Sequence, residues 1–373
     1  MKFSLFYEMQ ISEPTAAREA QLFRDCVEQV ELADRLGYHA VWEVEHHGLY
    51  EYSHSSAPEV FLSFVAARTQ NLRLGHGITL TPHRYNHPIR IAERIATLDI
   101  LSGGRVNWGS GKSSSLVEQL AFENDVTQLH DQWREALDMI PRMWQQDVFS
   151  YEGRFFHVPP TQVVPKPVQQ PHPPMFAACS KPDSAVAVGE LGLGALNFAI
   201  GNDDYLAQKV ADYRDAVSRA APEAYRVTNH FACTPAALCL PDDREACRAG
   251  MRGARFFAES LASYYFSGRR PTGRLRVSRE PFADADLQAA MAFRGAEDAP
   301  AMNVIGDPAH CRELVSRFED AGVDELILVM QMGTVPHELV LRSIRTFGEQ
   351  VIPHFAAATR EPAPASATAG ASP

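Results

Sequence analysis

The chain contains no Cys-x-x-Cys pair, no His-x-His pair and no block of lysine and arginine long enough to grip a polyanion. Its six cysteines (Cys26, Cys179, Cys233, Cys239, Cys247 and Cys311) stand apart from one another among 373 residues. Without paired spacing they suggest neither a zinc site nor a disulfide framework, and they read as small buried hydrophobes in a reducing compartment. The missing His-x-His pair removes the strand-end signature of a metal-dependent barrel hydrolase. His46, His47, His54, His76, His83 and His87 do crowd the first third, but Arg84 between the last two disfavours a cation there, so no metal is expected. Thirty-five basic against 46 acidic residues leave a formal charge of −11, which argues against nucleic acid or an anionic membrane as partner. No apolar run approaches the ~18 residues of a membrane span. The opening MKFSLFYEMQ lacks a signal-peptide apolar core, so a cytoplasmic protein is expected.

What is present is a repeated alternation. Strand-like runs at 2–7, 39–44, 72–80, 105–109, 175–179, 195–200, 227–240 and 325–330 are separated by stretches with helical spacing. Pro58 and Pro88 sit where first helical turns begin, and Gly37 and Gly103–Gly104 sit where helices stop. Strand–helix alternation of this kind predicts parallel strands with helical crossovers, in a closed barrel or an open doubly wound sheet. The open dinucleotide-binding sheet needs Gly-x-Gly-x-x-Gly after its first strand. Here that position reads Glu8-Met9-Gln10-Ile11-Ser12, so the (β/α)8 TIM barrel is favoured. A bare barrel takes ~250 residues. The surplus lies in a proline-rich crossing at Val158–Pro174, an Arg/Gly/Pro-rich segment at 268–300, and an Ala/Pro-rich tail from Ala356 to Pro373. We therefore expect one domain over 1–355, a disordered tail over 356–373, and a lid or a plain insertion at 268–300.

Reactive groups of a barrel sit at the C-terminal strand ends. Glu45-His46-His47 follows the second strand and offers an acid or base near neutral pH, or a structural hydrogen bonder with an exposed neighbour. His76-Gly77 ends the third, where glycine admits a flat ligand or makes a simple bulge. Gly111-Lys112-Ser113 ends the fourth. A Walker loop would need glycine where Val106 stands, so this loop is no P-loop, but it can hold a single phosphate or be a flexible turn. Cys179-Ser180-Lys181 precedes a short helix and offers a second anion contact, or merely leads into a capping residue.

Taken in order, Ala40–His47, Pro58–Gly75, His87–Glu93, Leu98–Arg105, Gly306-Asp307-Pro308, Gly322–Leu326 and Val351-Ile352-Pro353 resemble the bacterial luciferase-like flavin monooxygenases. The match runs over about 2–355 and is weakest between 267 and 300. The resemblance implies a (β/α)8 barrel that takes reduced FMN from a separate flavin reductase. It also implies O2 as co-substrate, and a flavin C4a-(hydro)peroxide that oxidises a small organic substrate. It maps a catalytic acid/base onto His46. It places the flavin ring near His76, Gly77, Gly111 and Cys179, and the phosphate near Lys112, Ser113, His130 and Ser180. Lys112 and His130 stand where the luciferases carry arginines, and one branch of the superfamily uses the deazaflavin F420 without O2. A homodimer is implied by the same resemblance. An F420-dependent oxidoreductase and a non-catalytic flavin-binding protein are the alternatives; the intact Glu-His-His run argues against the second.

Overall fold

The computed structural model describes residues 1–181, 183–293 and 303–358. Eight parallel strands close into a barrel: β1 (Lys2–Tyr7), β2 (Ala40–Glu43), β3 (Arg73–Leu80), β4 (Val106–Gly111), β7 (Met175–Cys179), β8 (Gly194–Phe198), β9 (Phe231–Thr234) and β12 (Glu325–Leu328). β1 pairs with β12 to seal the ring, with Phe3 opposite Leu326 and Leu5 opposite Leu328. The strands themselves are almost wholly buried, as expected of a parallel sheet covered by helices. Between and after them run α1 (Ala16–Arg35), α2 (Pro58–Arg68), α3 (Pro88–Leu101), α4 (Leu116–Ala121), α5 (Leu129–Gln145), α6 (Ser184–Glu190), α7 (Asp203–Ser218), α8 (Asp243–Tyr265), α9 (Asp284–Phe293), α10 (Pro308–Asp320), α11 (His337–Gln350) and α12 (Ile352–Ala358). Pro58, Pro88 and Pro308 each open a helix. Asp307 caps the last of these by accepting from the His310 N–H at 2.8 Å.

The insertions differ from their sequence reading. The proline-rich crossing begins as an antiparallel hairpin of β5 (Phe149–Glu152) and β6 (His157–Thr161), in which Pro159 and Pro160 occupy an edge strand that needs no inward N–H. The run at 227–240 divides at Pro235. β9 stays in the barrel, while β10 (Ala237–Cys239) leaves it to pair with β11 (Val304–Gly306). Segment 268–293 contains α9 and is tied down. Buried Glu51 accepts from the backbone N–H of Leu275 at 2.5 Å and from the Arg279 guanidinium at 2.6 Å, and Leu275 is itself buried. The rest of the expected lid, 294–300, lies outside the described residues. Of the expected tail, 356–358 complete α12 and 359–373 lie outside the described residues.

Strand alternation sorts side chains into two sets. Ser4, Phe6, Trp42, Phe176 and Glu325 point into the barrel, where the Trp42 and Phe176 rings meet edge-on at 5.0 Å. The barrel floor is organised by Glu325. It accepts from Ser4 Oγ at 2.6 Å and Trp42 Nε1 at 2.8 Å, and its second oxygen lies 2.8 Å from His230 Nε2. Gly75 is required beside Trp42, because a Cβ there would fall 2.3 Å from the indole. Gly75→Ala should therefore lower stability by about 1–3 kcal/mol, the cost of overpacking a filled core. The denaturant midpoint measures it, and an unchanged midpoint would mean that Trp42 can move aside.

Candidate active site

Two connected chambers open at the C-terminal mouth of the barrel, of about 160 Å3 and 670 Å3. The inner one is mostly apolar, walled by Phe6, Trp42, Leu196, Phe198 and Ile327, with Gly77 and Gly111 on its edge. The outer one is lined by Lys112, Ser113, His130, Arg134, Ser180 and Lys181. Lys112, Ser113, Ser114, Trp133, Ala178, Ser180 and Tyr265 belong to both, so an occupant can run from one to the other.

His46 sits at the junction with β2, only 11% exposed. Its Nδ1 lies 2.7 Å from Glu118 Oε1, and its Nε2 lies 3.0 Å from Tyr265 Oη and 3.6 Å from Glu8 Oε2. Glu118 also accepts from the His47 backbone N–H at 2.9 Å and from Ser113 Oγ at 2.6 Å. Glu8 is buried and accepts from Tyr52 Oη at 2.8 Å. Burial alone would pull the His46 imidazole down. Glu118 and then Glu8 outweigh it and raise its pKa to about 9, so His46 is a cation at neutral pH. For Glu118 burial is the largest influence and opposes ionisation, yet His46 and the Ser113 and His47 hydrogen bonds hold it below the ordinary carboxylate range. Burial raises Glu8 despite its proximity to His46. His47 has another role. Its Nε2 faces Glu45 at 3.3 Å and its ring stacks on Tyr85, while Glu45 accepts from the Leu80 N–H and the Asn86 amide at 2.8 Å each, fixing the loop after β3.

The outer chamber collects cations. Burial and then Lys181 lower the Lys112 ammonium, and burial, Lys112 and Arg134 lower the His130 imidazole. The protein carries a net charge of −11, yet among the described residues Lys112, Arg134 and Lys181 make no ion pair with a carboxylate. Three cations, none of them ion-paired, outnumber Glu190 on the same wall and form a place for an anion.

Of the residues singled out in the sequence, His46, Gly77, Gly111, Lys112, Ser113, His130 and Ser180 converge on these chambers. His76 and Cys179 do not. Period-two alternation turns both toward the helices, and the lining positions beside them are Gly77, Ala178 and Ser180. His76 is buried on that side, its pKa lowered to about 3 by burial and by Arg94, and burial pushes the Cys179 thiol up to about 12. Sequence reasoning missed Glu8, Glu118, Arg134 and Tyr265. Arg134 was within reach, since it is four residues after His130 and so shares its face of α5. The other three come from separate segments and no local pattern joins them. No group of three or more His, Cys, Asp or Glu among the described residues is arranged to hold a metal, and no described helix is long and apolar enough to cross a membrane.

A family model described as luciferase-like monooxygenase matches residues 1–325. The chain is 27% identical over 371 residues to the oxygenase component of a flavin-dependent trigonelline monooxygenase from Acinetobacter baylyi, covering 95% of this chain and 96% of that one. It is 30% identical to an F420-dependent hydroxymycolic acid dehydrogenase from Mycobacterium tuberculosis over 60% of this chain and 61% of that one. Its fold is similar to the crystal structure of a monooxygenase from Streptomyces bottropensis, with a TM-score of 0.79, 27% identity, and coverage of 95% of this chain and 100% of that one.

Proposed function

Because the chain belongs to the luciferase-like monooxygenase family, we propose that it is the oxygenase half of a two-component, FMN-dependent monooxygenase acting on a small organic substrate. A separate flavin reductase would supply the reduced FMN. The observation that carries this reading is the join between an apolar chamber beside His46 and a chamber walled by Lys112, Arg134 and Lys181. A ligand with a flat ring system at one end and a phosphate at the other matches both halves. The Acinetobacter relative, an oxygenase component, supports a reductase partner.

The residues fit such a ligand. Gly77 and Gly111 leave room against the ring edge, and at Gly111 a Cβ would fall 2.7 Å from Ile78. Lys112, His130 and Arg134, with the hydroxyl of Ser180, would hold the phosphate, while Ser113 beside them has its hydroxyl hydrogen on Glu118. Bound reduced flavin supplies the electrons that activate O2. The chain's own part is to exclude water with Phe6, Trp42, Leu196 and Phe198, and to keep a proton on His46 Nε2 at the chamber wall. The Mycobacterium relative motivates a second reading, hydride transfer with F420.

Lys112→Ala and Arg134→Ala should each weaken FMN binding by about 1.5–3 kcal/mol, the worth of a hydrogen bond to a charged group, or roughly ten- to hundred-fold in Kd. Riboflavin, which lacks the phosphate, should be insensitive to both substitutions. Fluorescence titration with FMN, riboflavin and F420 decides the matter. Equal losses for FMN and riboflavin would place the phosphate elsewhere, and tighter binding of F420 would favour the second reading.

A further inference from the structure

The Tyr265 hydroxyl has one hydrogen-bond partner among the described residues, Nε2 of His46, and its ring walls both chambers. It is the last residue of α8 and lies 219 positions from His46 in sequence. Three donors converge on Glu118: His46 Nδ1, the His47 N–H and the Ser113 hydroxyl. An ionised carboxylate only accepts, so Nδ1 carries a hydrogen whatever the charge of the ring. The state of Nε2 is then the variable, and it dictates which way the Tyr265 hydrogen points. With Nε2 protonated, the N–H donates to Tyr265 Oη, and the single phenol hydrogen is left for the chamber. With Nε2 bare, that hydrogen turns to the ring and the chamber meets only oxygen lone pairs.

We propose that Tyr265 is the exit of a proton relay from His46, its hydroxyl giving a hydrogen to an anionic or strongly accepting oxygen of the ligand in the inner chamber. The Tyr265 O–H bond breaks as the ligand O–H bond forms. The His46 Nε2–H bond breaks as the Tyr265 O–H bond is restored, leaving a neutral imidazole with its hydrogen on Nδ1. Solvent then reprotonates Nε2. The groups that set this balance come from every side: Glu118 on α4, Glu8 beyond β1, Glu45 beside His46, Tyr52 in the loop before α2 and Tyr265 itself. Burial first, then Glu118 and Glu8, push the Tyr265 phenol well above its ordinary range, so it passes a proton without ever holding a charge at rest. Tyr52 cannot substitute, because its hydroxyl is committed to Glu8 at 2.8 Å and it is fully buried.

The relay rests on the flavin reading only for the identity of the ligand, and the test separates the two. Wild type, Tyr265→Phe and His46→Gln are mixed with reduced FMN and O2 in H2O and D2O, and flavin absorbance follows reoxidation across pH. The His46 titration is read by NMR in the ligand-free wild type and Tyr265→Phe. The wild-type rate should change as pH crosses about 9, the His46 value, and should fall in D2O. Tyr265→Phe should change the rate by ~10²-fold or more, the scale of a lost general acid, and should flatten both dependences. Its His46 titration and melting temperature should stay near wild type, because Glu118 and Glu8 remain. A wild-type pH profile and isotope effect in Tyr265→Phe would overturn the relay. So would their loss together with a displaced His46 titration, since Tyr265 would then only prop the ring. Reoxidation unaffected by wild-type protein would instead overturn the flavin reading, and the relay's ligand with it.

Discussion

His46→Ala should cut product formation by ~10²–10⁴-fold, the range for a positioned general acid or base, while FMN binding stays near wild type. The split follows from geometry. His46 lines the inner chamber and touches Glu118, Glu8 and Tyr265, whereas the cations that would hold a phosphate line the outer chamber. Product formation is scored by mass spectrometry on a small organic substrate that the wild type oxidises, and binding by fluorescence. The pH dependence has a definite sign. His46 is protonated below about 9, so activity that needs its proton is lost as pH rises through that value. The same ion pair with Glu118 contributes stability that is full below the ordinary histidine value of ~6.5 and fades as pH rises through about 9. Undiminished product formation by His46→Ala would remove this residue from the mechanism.

Glu325→Ala should destabilise the barrel by about 3–5 kcal/mol, the scale of breaking a buried charged network from one side. Removing the carboxylate strands the Ser4 hydroxyl, the Trp42 indole N–H and the His230 imidazole inside the barrel. Burial pushes the Glu325 carboxyl up, but His230, and then His39 and Ser4, overcome it and hold the pKa down to about 2. A depressed carboxylate contributes stability above its unfolded value of ~4.3, and that contribution is lost as pH falls through about 2. Urea denaturation of wild type and Glu325→Ala at neutral and acidic pH measures both effects. The gap between the two proteins should narrow in acid; a gap that is small at neutral pH would mean that the floor network adds little.

Much of the barrel is legible in the sequence, and the reason is periodicity. Seven of the eight strand-like runs lie within two residues of an observed barrel strand at each end, because parallel strands buried on both faces leave short apolar runs bounded by turns. The exception, 227–240, is continuous in apolarity but divided in space, since pairing with 304–306 is a long-range choice that no local pattern announces. The site is legible only in part. Glu45-His46-His47 and Gly111-Lys112-Ser113 are visible as strand-end clusters, and the structure brings His46 and Ser113 to one carboxylate, Glu118. Glu118 itself lies on α4, a six-residue helix too short to show a period. Tyr265 reads as an ordinary aromatic at a helix end until the fold sets it against His46. The placing of His76 and Cys179 on a ligand shows the opposite limit. Nearness to a strand end does not suffice, because alternation admits only one of two adjacent residues to the interior.

The proposed function makes O2 a reactant and a reductase the source of electrons. The measurement that bears on it most directly is product formation with NADH, FMN and a flavin reductase, run in parallel with air and under strict exclusion of oxygen. Product should form only with both the reductase and O2 present, and none when either is withheld. Sustained turnover without oxygen would contradict the proposed function and assign the chamber to hydride transfer instead.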